Sequence, residues 1–88
     1  MVVRQKSTTS TKDYVLTAAT TKRYVTAEAT VSTDDTVPIA EVTTLLGANV
    51  IGLADGVALT CTIGTNIVTI TQAAKTNVAV LITAYGTP

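Results

Sequence analysis

The residue types that carry most enzyme chemistry are scarce in this chain. It contains no histidine and a single cysteine, Cys61. Without histidine, Cys–His and Ser–His nucleophilic pairs and histidine-ligated metals are excluded. Cys61 lies in an alternating segment on the same side as Leu59 and Ile63, which favours a small buried hydrophobic residue over a nucleophile. One cysteine also rules out an intramolecular disulfide and a thiolate metal cluster.

The pair Asp34–Asp35 is the strongest candidate for a cation site. It lies in the segment 32–36, which lacks the regularly spaced oxygen ligands and the closing glutamate of a calcium loop. Aspartates also bond to the backbone within turns. We therefore predict a turn here, and no metal.

Threonine pairs offer a second possible chemistry. The segments Thr60-Cys61-Thr62 and Thr69-Ile70-Thr71 are Thr-x-Thr pairs of the kind that order water on ice-binding sheets. Such a function needs a long regular array, and here the pairs end after two, so solvent-facing threonines on a sheet are the preferred interpretation. No pattern brings two carboxylates together for acid–base catalysis. The sequence predicts no catalytic residue, no cofactor and no enzyme.

The chain is organised around residues 57–85, where apolar and polar residues alternate. A period of two is typical of a half-buried sheet, and we predict three antiparallel strands in a meander. Asp55-Gly56 indicates a hairpin turn that leads from a short strand near residues 50–53 into this segment.

Upstream, residues 14–19 and 24–31 are compatible with strands, with a polar turn at 20–23. In the second segment Val25, Ala27, Ala29 and Val31 share one face. Residues 38–46 are predicted to form a short helix, because apolar residues fall at helical spacing between a proline and a glycine; an edge strand is the alternative. The predicted fold is mainly β, a small antiparallel sandwich or barrel of about six short strands.

Composition bounds the stability of this domain. The chain has 88 residues, of which 47% are hydrophobic, but it has no Phe, no Trp and only three Tyr. Burial of small side chains stabilises the folded state by little more than the loss of conformational entropy destabilises it. We therefore expect additional burial in an oligomer or on a larger partner.

Charge is unevenly distributed along the chain. Residues 1–23 carry a net charge of plus four and residues 24–55 a net charge of minus five. We predict a flexible basic N-terminal arm over residues 1–13, followed by a single compact β domain over residues 14–88. The arm is either a solvated tail or a segment that docks on an acidic neighbour. The opening residues do not form a secretory signal and no apolar run spans a bilayer, so we expect a soluble protein made in the cytoplasm.

The ending VTITQAAKTNVAVLITAYG, residues 68–86, resembles the closing hairpins of small structural proteins of tailed bacteriophages. Together with the predicted arm, the chain resembles in kind the capsid decoration, or cement, proteins. The resemblance implies a non-enzymatic virion protein that docks on the major capsid protein or another virion protein and on its own copies, as a trimer. It implies no membrane contact, and the neutral net charge argues against specific nucleic-acid binding. A tail, collar or fibre-base location stays open within this class.

Candidate contact residues follow from charge and from aromatic character. We expect the bases to meet an acidic shell surface, with two tyrosines as anchors; the set is Arg4, Lys6, Lys12, Lys22 and Arg23, with Tyr14 and Tyr24. The alternative function is a β-sandwich binding module for a polysaccharide or a protein. Sugar sites use exposed aromatic platforms, and Tyr14, Tyr24 and Tyr85 are the aromatic residues available.

Overall fold

The computed structural model describes residues 2–17 and 20–88. This part of the chain is entirely β, without a helix, and the predicted fold class is confirmed. It contains eight strands, which exceeds the predicted six; they are β1 (Ser7–Thr17), β2 (Thr20–Val31), β3 (Thr36–Pro38), β4 (Thr44–Gly52), β5 (Ala58–Leu59), β6 (Cys61–Ile63), β7 (Ile67–Ile70) and β8 (Val78–Thr87).

The strands form two antiparallel sheets that pack as a small sandwich. The larger sheet has the order β1-β2-β8-β4-β5 and the smaller one the order β3-β7-β6. Branched aliphatic side chains from both sheets fill the core, since the chain has no Phe or Trp to do so. The largest fully buried side chains are Ile39, Ile70, Ile82, Val25, Val31, Val37, Val50, Val68 and Val80.

The alternation predicted for the second half of β2 is confirmed. Val25, Ala27, Ala29 and Val31 are all buried, and the residues between them face away from the core. Because the period of a strand is two, this single face fixes which side of the larger sheet is solvated. The hairpin after Asp55-Gly56 is also present, since β4 pairs with β5 through Val50 and Leu59.

The predicted meander over residues 57–85 is only partly correct. β6 and β7 form a hairpin, and Thr60 separates β5 from β6. β8 then leaves its neighbour and pairs with β2 on one side and β4 on the other. At ten residues, β8 is much longer than β7 and gains more burial at the centre of the larger sheet. The crossing loop contains Ala74 and Asn77, both at positive φ.

The helix considered for residues 38–46 is not formed. β3 ends at Pro38, a turn follows, and β4 begins at Thr44. The helical spacing has another cause: Ile39 and Val42 enter the core from the turn between β3 and β4, and Leu45 enters it from the start of β4.

The predicted arm is replaced by ordered structure. Residues 7–13 belong to β1, and the backbone groups of Val2 and Arg4 form hydrogen bonds with Thr36, the first residue of β3. The physical reason is charge pairing within the chain, described below. The predicted turn at residues 20–23 is instead the start of β2, and residues 18 and 19 of the predicted strand lie outside the described part of the chain. Over the described ranges, none of the secondary structure is a helix able to cross a bilayer.

Candidate functional site

A repeated pentapeptide places aromatic and basic side chains on the solvated face of the larger sheet. The segments Thr-Lys-Asp-Tyr-Val and Thr-Lys-Arg-Tyr-Val occupy residues 11–15 and 21–25. Antiparallel pairing of β1 with β2 sets Lys12 opposite Tyr24 and Tyr14 opposite Lys22. Directly opposed residues share a face of a sheet, so the two tyrosines lie on one diagonal and the two lysines on the other.

A third tyrosine extends this pattern across the sheet. Tyr24 pairs with Tyr85 on β8, which in turn pairs with Gly47 on β4. The ring of Tyr85 fills the space that a Cβ atom at Gly47 would need, so a glycine at this position allows the ring to lie over β4. The absence of a side chain at Gly47 therefore helps to set the position of the Tyr85 ring.

The three rings form one continuous aromatic strip, here called the tyrosine strip (Tyr14, Tyr24 and Tyr85). Ring centroids of Tyr14 and Tyr24 are 5.1 Å apart in an edge-to-face arrangement, and those of Tyr24 and Tyr85 are 5.5 Å apart and stacked. Both geometries are favourable for aromatic pairs. The side chains remain 41%, 42% and 38% exposed, respectively. Mutual packing thus holds the rings in place while leaving much of their surface to solvent.

Two ammonium groups flank the tyrosine strip. Lys12 Nζ lies 5.4 Å from the centroid of Tyr14, which is cation–π distance. Neither Lys12 nor Lys22 forms an ion pair with an acidic residue in the part of the chain that the structure describes. The nearest acid along the strands, Asp13, points to the opposite face and is held by Arg23. The strip is therefore a locally basic surface on a chain of zero net charge.

The next row of the sheet is polar. In register, Ser10 lies opposite Thr26, Thr26 opposite Thr83, and Thr83 opposite Asn49. Pairing in register places these residues on one face of the sheet beside the tyrosine strip; Ser10 and Asn49 are exposed, and Thr26 and Thr83 are partly exposed. Hydroxyl and amide groups donate and accept hydrogen bonds without net charge.

The other three predicted contact bases are engaged inside the molecule. Arg4 Nε donates to Asp35 Oδ2 at 2.6 Å, and the ammonium of Lys6 lies 2.8 Å from Glu41 Oε1. Arg23 forms a two-point contact with Asp13, at 2.6 and 3.0 Å. Arg4 and Lys6 of the basic leading segment thus pair with acids of the middle of the chain, whereas Arg23 pairs with Asp13 inside the leading segment itself.

These pairs shift the ionisation of the acids. The hydrogen bond from Arg4 lowers the pKa of Asp35, and the hydrogen bond from Arg23 lowers the pKa of Asp13. For Glu41, burial favours a higher pKa, but hydrogen bonds from Lys6 and Thr8 outweigh it and the pKa is lowered. All three carboxylates are thus stabilised in the charged form.

The candidate cation site at Asp34 and Asp35 is a turn, as predicted. Asp35 is buried and accepts hydrogen bonds from the backbone N–H groups of Ser32 and Val2 as well as from Arg4. Both carboxylate oxygens of Asp35 are therefore occupied by hydrogen bonds within the protein. Within the described residues, no three His, Cys, Asp or Glu side chains gather into a group that could hold a metal ion.

Cys61 and a groove beside the first residues of the chain offer no reactive group for chemistry. Burial raises the pKa of the Cys61 thiol, which disfavours the reactive thiolate. An open groove of about 480 Å³ lies between residues 4–7 and Leu53. Its two cations, Arg4 and Lys6, are the ones already paired with Asp35 and Glu41. We therefore place the candidate site on the tyrosine strip and its neighbours.

The sequence analysis identified Tyr14, Tyr24, Lys12 and Lys22 as candidate contact residues but did not predict that they lie side by side on one face of a sheet. The available signal was the repeated pentapeptide, whose register in a hairpin creates the diagonal pattern. The polar row was missed, because its four members come from four separate strands and no local pattern links them. Comparison with protein-family models, with curated proteins and with solved structures finds no match for this chain.

Proposed function

We propose that this protein is a non-enzymatic structural component of a virion, which decorates and stabilises a capsid by docking on the shell and on its own copies. The main observation in support of docking is the edge strand β1. It has eleven residues, and every residue from Ser7 to Val15 is exposed. The resemblance of residues 68–86 to small phage structural proteins supplies the virion context and the expectation of a trimer.

A long open edge is a template for another strand. β1 pairs with β2 on one side, and its other side has no partner strand in the part of the chain that the structure describes. The opposite edge of the same sheet, β5, has only two residues. Unpaired N–H and C=O groups along an edge bind extended segments of other chains through backbone hydrogen bonds.

The side chains of β1 fit this role. Val15 is 71% exposed and lies near the end of the hairpin, where pairing of β2 with β8 has already stopped at Arg23. Such an exposed β-branched residue gains burial when a strand is added. Of the five bases expected to meet an acidic shell, Lys12 and Lys22 are the two without an acidic partner among the described residues, and they are retained in the proposal.

The first test is sedimentation of a lysate from the native source, with peptide mass spectrometry to count this chain across the gradient. Co-migration with large particles in many copies supports a shell component. A few copies in each particle would place the protein in the tail or collar, and recovery only at the top of the gradient would contradict the virion proposal and favour a binding module.

The second test concerns β1 itself. Deleting residues 1–13 would remove more than half of β1 and the Arg4–Asp35 contact, so a point substitution is a cleaner test. Val15→Lys places a charge on the open edge, and Val57→Lys changes another exposed valine outside the larger sheet's long edge. We expect Val15→Lys to reduce particle association while Val57→Lys does not. Equal association of both variants would contradict docking through β1.

A further inference from the structure

We propose that the tyrosine strip, with Lys12 and Lys22, is a binding surface for an acidic polysaccharide, a glycan chain that carries carboxylates. The proposal rests on the outer face of the larger sheet and is independent of docking through the edge of β1. Both features can operate in one molecule because the edge and the face point in different directions.

Shape is the first argument. The site is an open strip on the sheet surface rather than a pocket, and its three rings follow one another at 5.1 and 5.5 Å across β1, β2 and β8. Sugar rings present flat C–H faces that pack on aromatic rings, and successive sugars of an extended glycan repeat on a similar length scale. Rings held by mutual packing lose little conformational freedom on binding.

Hydrogen bonding is the second argument. The row Ser10, Thr26, Thr83 and Asn49 runs beside the aromatic strip and presents three hydroxyls and an amide. Glycans carry hydroxyl groups along their whole length, and these need neutral donors and acceptors. An aromatic strip beside a polar row therefore matches the two surfaces of a sugar chain.

Charge is the third argument, and it selects an acidic glycan. Lys12 and Lys22 lie on the face that carries the rings, and no acidic residue of the described chain pairs with either of them. The nearest acid on this face, Glu28, lies opposite Ser7 and so is beyond the polar row. Carboxylates on the ligand would complement the two ammonium groups.

The same observations disfavour single-stranded nucleic acid. Proteins that bind single strands follow the phosphate backbone with a continuous basic groove. Here two lysines, Lys12 and Lys22, flank the tyrosine strip, and the chain has no net positive charge. Two cations neutralise few phosphates.

The experiment is isothermal titration calorimetry with acidic glycans of known composition. Oligomers of polygalacturonate, alginate and polysialic acid are offered separately at low salt, with the methyl ester of the galacturonate chain as a neutral match and an oligothymidylate as the nucleic-acid probe. We expect at least one acidic glycan to bind with a Kd below about 1 mM, and the ester to bind about tenfold more weakly than its parent acid. Raising the salt should weaken binding, because exposed charges are screened.

Substitutions in the tyrosine strip and at the two lysines test which residues bind the glycan. Tyr24→Ala removes the central ring and should weaken binding about tenfold. The double variant Lys12→Gln, Lys22→Gln should abolish the preference for acid over ester. Lys75→Gln changes a cation outside this face and should bind as the wild type does. Circular dichroism and thermal melting identify any variant that has lost the fold, and Tyr14→Ala at the sheet margin then replaces Tyr24→Ala.

Three results would overturn the proposal. The first is the absence of binding to every acidic glycan at about 1 mM. The second is binding that folded Tyr and Lys variants leave unchanged. The third is tighter binding of oligothymidylate than of any glycan. Each result concerns the isolated protein, so it can be distinguished from failure of the virion proposal, which is read from particle association.

Discussion

The guanidinium of Arg4 lies 2.6 Å from the carboxylate of Asp35, and this contact ties the first residues of the chain to the turn that precedes β3. The side chain of Asp35 is only 3% exposed, and it also accepts hydrogen bonds from the backbone N–H groups of Val2 and Ser32. One buried carboxylate thus satisfies donors from two distant segments. This arrangement is the reason why the leading basic residues are part of the fold.

Asp35→Asn should therefore lower the melting temperature. The amide removes the charge that Arg4 faces and offers one acceptor oxygen in place of two, so a buried donor loses its partner. We expect a fall in Tm of about 5 °C or more for a domain of this size. The matched control is Asp34→Asn, at an exposed neighbouring position where asparagine tolerates the positive φ. Equal melting temperatures for the two variants would show that the Arg4–Asp35 contact contributes little.

The same carboxylate predicts how stability depends on pH. The hydrogen bond from Arg4 lowers the pKa of Asp35 below its unfolded value, so its contribution is present above about pH 4 and is lost as pH falls through the folded pKa. Asp13 and Glu41, whose pKa values are also lowered, act with the same sign. Urea unfolding between pH 7 and strongly acidic pH should show a steeper loss of stability for the wild type than for Asp35→Asn. If stability falls with pH equally steeply in the wild type and in Asp35→Asn, this would contradict a contribution of Asp35 to the pH dependence.

The interior of the sandwich depends on aliphatic packing alone. Ile82 is fully buried on the central strand β8, whereas Ile51 is 37% exposed on β4. Ile82→Ala should lower the free energy of unfolding by about 2–5 kcal/mol, because it leaves a cavity in the core. The core has no aromatic side chain that could move to fill this cavity. Ile51→Ala makes the same chemical change at the surface and should cost under about 1 kcal/mol. Denaturant titration of both variants measures the difference, and similar losses would contradict the assigned faces of the larger sheet.

The sheet faces could be predicted from the sequence because alternation is local. The residues of β2 that were expected to face inward are buried, and the hairpin at Asp55-Gly56 is formed. The helix predicted for residues 38–46 was wrong, because Ile39 and Val42 in a turn and Leu45 in β4 are all buried, and their burial produces helical spacing without a helix. The spacing of apolar residues indicates which residues are buried, but it does not determine whether the backbone forms a helix, a strand or a turn.

The tyrosine strip could be predicted only in part. The pairing of Lys12 with Tyr24 follows from a repeated pentapeptide in one hairpin. The position of Tyr85 depends on β8 entering between β2 and β4, which joins residues about sixty positions apart in the chain. Sequence periodicity contains no information on such long-range strand order. The same limit explains why the meander predicted for residues 57–85 is only partly correct.

Cys61 should react slowly in the folded protein. Burial raises its pKa, so less thiolate is present at neutral pH, and the sulfur packs near the carbonyl oxygen of Ala48. We expect alkylation by iodoacetamide at mildly alkaline pH to be several-fold slower in the folded protein than in the same protein unfolded in urea. Equal rates, measured by mass spectrometry, would show that Cys61 is freely accessible in solution.

The backbone of β4 lies close against Gly86 of β8. A Cβ atom at this position would clash with the carbonyl group of Thr44 and would lie 3.1 Å from Leu45 Cα. These are backbone atoms beside the bulge between Leu45 and Gly47, so they cannot rotate away. Gly86→Ala should therefore separate β8 from β4 and cost about 1–3 kcal/mol or more. Gly64→Ala is the matched control, because its new methyl group would lie 4.0 Å from the nearest atom, the carbonyl oxygen of Ile67. Denaturant unfolding compares the two variants; a Gly86→Ala protein as stable as Gly64→Ala would mean that β4 and β8 are less closely paired than the structure shows.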